Sequence, residues 1–74
     1  MEIKERPLTQ DEKVEGVVAG LTELGAVYKS HNQHNLYVKV KKDSILDDEK
    51  HFKKAIKTVF LYTGLILRFD GIAD

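Results

Sequence analysis

The sequence predicts an α+β two-layer sandwich, with two helices on one face of a mostly antiparallel sheet in the order (β)αββαβ. Three patterns predict it. Val14, Val17, Val18, Leu21 and Leu24 recur at three- and four-residue spacing, the mark of one helix face. Leu36, Val38 and Val40 alternate with Tyr37, Lys39 and Lys41, the period of a strand with one apolar side. Phe52, Ile56, Val59, Phe60 and Thr63 then return to helical spacing before a second strand-like run at 65–69.

Residues 1–8 are short and charged, and Pro7 closes them off; they predict either an edge strand holding Ile3 or a loose tail. Thr9 followed by Glu12 is a capping-box signature for the first helix. Gly25 suits the left-handed position after its last turn. The segments 26–30 and 36–42 are rich in β-branched and aromatic residues. The stretch 31–35, which holds three amide side chains, separates them, so they predict a hairpin. Ser44, Asp47 and Asp48 are N-cap candidates for the second helix, and Gly64 supplies its stop. On that helix Lys50, Lys53, Lys54 and Lys57 fall largely opposite the apolar stripe. In 65–69, Leu65, Leu67 and Phe69 share one side and Ile66 and Arg68 the other, with a ragged end at 70–74. If 1–8 forms a strand, the order becomes the split βαβ plan of ferredoxin-like domains; otherwise an open three-stranded sheet remains. No motif ties the chain to a family of that layout.

At 74 residues the chain has room for one small domain over 1–74, and 42% hydrophobic with 32% charged residues is a folding composition. No cysteine is present, so no disulfide supplements the small core. The start carries no apolar signal core, and no run approaches a membrane span; a cytoplasmic protein with no membrane partner is expected. Net charge is zero but uneven. Residues 1–25 hold six acids against three bases, and 26–57 hold eight lysines against four acids. A zero balance removes the long-range field that draws a protein to nucleic acid, and leaves only local patches to act.

The sheet face not covered by helices is predicted to display Tyr37, Lys39 and Lys41 from one strand and Ile66 and Arg68 from another, joined by Lys29 and His31 from the hairpin partner. Lysines neutralise phosphates and a tyrosine stacks on bases, so single-stranded nucleic acid is one ligand class for such a face. RNA-recognition domains of this layout carry a glycine- and aromatic-rich strand, whereas 36–41 has one aromatic and no glycine. An apolar member such as Ile66 points instead to a protein partner or a second copy.

The remaining clusters have plainer readings. His31 and His34 flank a turn and His51 lies on a helix, a weak start for zinc without cysteine. Three acids at 47–49 suit a helix N-terminus. Gly16 and Gly20 share the flank of the first helix's stripe, where tight packing within the monomer or a partner helix would use them. The first helix is acidic through Asp11, Glu12, Glu15 and Glu23, and the second is basic. No nucleophile with a base, phosphate loop or nucleotide fingerprint is present. The expectation is a non-enzymatic module without cofactor or metal that contacts a protein through Tyr37, Lys39, Lys41, Ile66 and Arg68 and self-associates. Single-stranded nucleic acid on the same face is the alternative.

Overall fold

The computed structural model describes residues 9–73; the strand or tail expected at 1–8 lies outside the described residues. Helix α1 spans Gln10–Glu23, strands β1 and β2 span Ala26–His31 and Asn35–Lys41, helix α2 spans Glu49–Thr63, and β3 spans Ile66–Ala73. A single 3-10 turn at Ile45–Asp47 precedes α2. The two helices and three strands form the expected α+β two-layer arrangement.

The helix boundaries follow from local chemistry. Glu12 N–H donates to Thr9 Oγ1 at 3.2 Å and Thr9 N–H donates to Glu12 Oε1 at 2.8 Å, which closes the capping box. Asp48 caps α2, its carboxylate accepting from the His51 backbone N–H, while Ser44 stands before the 3-10 turn without a side-chain cap. Gly64, at φ 77, ends α2 with its N–H on Phe60 O. Gly25 is more constrained: it sits at φ 112, and a Cβ there would overlap the Ser44 side chain.

The two helices lie antiparallel. Gln10 Nε2 at the start of α1 donates to Thr63 O at the end of α2, and Leu46 N–H, just before α2, donates to Leu24 O after α1.

The sheet order is β1-β2-β3. β1 and β2 form an antiparallel hairpin whose turn is fixed by Asn32, which accepts from the His34 and Asn35 N–H groups, both at 2.8 Å. β2 and β3 are parallel, with α2 as the crossover, so the sheet is mixed, with one ladder of each kind. The two parallel strands are direct neighbours, whereas the split plan places a strand between such a pair.

Leu36, Val38 and Val40 turn under the helices and are fully buried, as their alternation predicts. They meet Val14 and Leu21 of α1, Ala55 and Val59 of α2, and Leu46, Leu65 and Leu67. Burying a leucine or valine of this kind contributes about 1.5–3 kcal/mol. Buried Thr63 donates to Val59 O and accepts from Leu65 N–H, so its hydroxyl is satisfied.

Three expectations need correction. Phe60 was placed on the buried stripe but is 53% exposed, because the stripe centres on Ala55, Val59 and Thr63 and Phe60 falls beyond its edge. Strand β3 does not fray after Phe69 but runs to Ala73, passing a bulge at Asp70 and Gly71, where Gly71 takes φ 108. The tight packing within the monomer that was one expectation for Gly16 and Gly20 is not found among the described residues, where a Cβ at either would meet no heavy atom within 4 Å beyond its own helix backbone; the other expectation, a partner helix, is untouched by this.

Candidate functional site: the open sheet face

On the face away from the helices the ladders set Tyr37 beside Arg68 on β3 and Ser30 on β1, Asn35 beside Ile66, and Lys39 beside Val27. Tyr37 is half-buried, Ile66 is 42% exposed, and Lys39, Lys41 and Arg68 are exposed. All five expected contact residues therefore share one surface.

Each edge strand carries a bulge next to Val38 of β2, one on either side of it along the strand. On β1 the pairing passes from Tyr28 opposite Val38 to Ser30 opposite Tyr37, which makes Lys29 the extra residue. On β3 it passes from Phe69 opposite Val38 to Ile72 opposite Val40, which sets Asp70 and Gly71 against Lys39 alone. A bulge re-aims side chains, and here both extra residues turn to the open face and meet: Lys29 Nζ lies 2.7 Å from Asp70 Oδ2. This bridge crosses β2 between Tyr37 and Lys39. It divides the face into an aromatic, guanidinium and aliphatic group (Tyr37, Arg68, Ile66) and a lysine group (Lys39, Lys41) beside Val27.

His31 does not join this face. The bulge at Lys29 returns His31 to the helix side, where it pairs with Leu36 in register. Its Nδ1 lies 2.8 Å from Tyr28 Oη, and the two rings border a cleft of about 550 Å³ against Asp11, Val14 and Val18. His34 sits in the hairpin turn, and His51 Nδ1 lies 2.7 Å from Asp48 Oδ2. The three histidines thus lie apart, and among the described residues no cluster of three ligand-type side chains is placed to hold a metal. With its carboxylate accepting from the His51 side chain and then from its backbone N–H, Asp48 has its pKa held below the ordinary carboxylate value. Asp47 accepts from Asp43 N–H, and Glu49 reaches Lys53 at 3.6 Å, so the acids at 47–49 serve the helix start.

One feature escaped the sequence reading, the paired bulges, for which Gly71 in a strand context was the available signal. Beside Gly16 and Gly20, where a partner helix was one expectation, a groove of about 400 Å³ lies between α1 and α2, bordered also by Leu24, Ile45, Lys54 and Thr58. No helix among the described residues is long and apolar enough to cross a membrane. Comparison with family models, curated proteins and solved structures finds no match.

Proposed function

We propose that the chain is a non-enzymatic, cytoplasmic binding module that holds a protein partner on its open sheet face and associates with itself. The observation that carries this reading is the cluster of Tyr37, Arg68 and Ile66, in which an aromatic ring and a guanidinium lie side by side in register with an exposed aliphatic side chain next to them. Tyrosine and arginine are the residues that most often dominate protein interfaces, and an aliphatic neighbour excludes water around them. Lys39 and Lys41 extend the same face without a bridging acid, so the partner surface that fits is apolar at its centre and acidic at one rim.

Single-stranded nucleic acid remains the alternative use of this face. Against it, Lys29 is already bridged to Asp70, and Tyr37 is the one ring available for stacking there. The test is a photo-crosslinking residue at position 37, compared with one at position 58, combined with titration of short single-stranded oligonucleotides at low and high salt. Protein adducts specific to position 37 and lost in Arg68→Glu support the proposal. Tight, steeply salt-dependent oligonucleotide binding without such adducts would replace it by the alternative.

A further inference from the structure

From the groove between α1 and α2 and the opposite charges of the two helices, we propose that the chain's self-association uses its helical layer, with a second copy seated so that α1 of each lies along α2 of the other. This deepens the self-association part of the proposed function and leaves the sheet face free for its partner.

The groove is lined mostly by apolar residues. Leu24 and Ile45 border it and are exposed, and the last turn of α2 carries two further exposed side chains, Leu61, 78% exposed, and Tyr62. Among the described residues nothing fills the space over Gly16 and Gly20, so another helix can approach that wall closely.

The charges select the occupant. α1 carries Asp11, Glu12, Glu15 and Glu23 against one lysine, and α2 carries Lys50, Lys53, Lys54 and Lys57 against one glutamate. Because α1 and α2 run antiparallel, a two-fold axis parallel to the helices lays each acidic helix antiparallel along the basic helix of the other copy, as in an up-down four-helix bundle. A two-fold axis crossing the helices would instead set α1 on α1 and α2 on α2, like charge against like. A second copy on the sheet face meets a similar penalty, since Lys39, Lys41 and Arg68 have only Asp70 among them and it is bridged to Lys29. Of these two surfaces, as the described residues form them, the helical layer is the one complementary to itself.

Sedimentation equilibrium on the full chain, up to millimolar concentration, tests this with charge-swapped variants. Glu15→Lys with Glu23→Lys makes both helices basic; Lys50→Glu with Lys57→Glu makes both acidic. Each doubly substituted chain is expected to dimerise about tenfold or more weakly than the natural chain, and an equimolar mixture of the two to recover a one-to-one dimer. Gly20→Leu, which fills the groove without opposing helix formation, should weaken the dimer with unchanged far-ultraviolet circular dichroism. A natural chain that stays monomeric throughout overturns the self-association itself. A dimer that ignores all these substitutions but is broken by Arg68→Glu overturns only its placement on the helices. A monomeric natural chain leaves the position-37 adducts untouched, and a dimer broken by Arg68→Glu would give self-adducts at position 37, which their mass of two chains separates from adducts with a foreign protein, so the two proposals fail separately.

Discussion

Lys29 and Asp70, the extra residues of two bulges on opposite edge strands, close an ion pair at 2.7 Å over the central strand. The bulges remove one residue's worth of regular pairing from each edge, and the pair ties the two irregular points together above β2. A free edge of a small sheet invites addition of foreign strands, and bulges and charges are among the devices that discourage it.

That pair is solvent-exposed, with side chains 54% and 32% accessible, so its contribution to stability is small. Asp70→Asn should lower the unfolding free energy by less than about 1 kcal/mol in a urea titration. Its larger effect is electrostatic: with Lys29 released, the face gains an unpaired cation, and affinity for a short polyanion at low salt should rise. If polyanion affinity is unchanged, the bridge does not control the charge of this surface.

The glycines divide into opposite cases. Gly16→Ala and Gly20→Ala should each stabilise the monomer by up to about 1 kcal/mol, because the helix gains propensity and the new methyl meets nothing. Gly25→Ala should destabilise it by about 1–3 kcal/mol, since alanine resists φ 112 and its methyl would collide with Ser44. Thermal unfolding of dilute samples separates them by sign. Equal losses at all three positions would mean that the helix glycines pack after all.

Leu36 tests the core. It has no exposed surface, and Leu36→Ala should cost about 2–5 kcal/mol, a large part of what a domain of this size possesses. Circular dichroism melting reads this directly; a loss below 1 kcal/mol would contradict its central place under both helices.

Asp48 gives a pH dependence with a defined sign. Because hydrogen bonding to His51 lowers its pKa in the folded state, its stabilising effect is fully present above the ordinary carboxylate value. The effect fades as pH falls through the lower folded value. The stability difference between the natural chain and Asp48→Asn should therefore be level near neutrality and shrink in acid. A difference constant into strong acid would leave the capping geometry, and not the charge, as the whole contribution.

What could be read from the sequence was local. The alternation at 36–41 correctly turned Leu36, Val38 and Val40 inward, and Thr9, Gly25 and Gly64 marked helix ends because capping chemistry depends on a few adjacent residues. The parallel pairing of β2 with β3 was not visible, since nothing in either strand names its neighbour. Phe60 was misplaced because helical periodicity gives a stripe's centre better than its width. Phe69 faces the helix side and meets Phe52 edge-on with ring centroids 6.0 Å apart, yet it stays 54% exposed on a strand with no further neighbour toward α2 among the described residues. For the candidate site, all five residues were assigned to the correct face. The bulges that divide that face and send His31 to the other side are set by pairing across strands, which a single strand's pattern does not encode.

The mixed ladder also sets an order of events in folding. The hairpin of β1 and β2 joins residues close in sequence and can zip within microseconds, whereas β2 gains its second neighbour only when Ile66–Ala73 returns past the whole of α2. Leu65 and Leu67 belong to the core, so the early hairpin is left with half its apolar floor unroofed until the last strand arrives. Pulse-labelled amide exchange during refolding should accordingly protect the β1-facing hydrogens of β2 well before those that face β3.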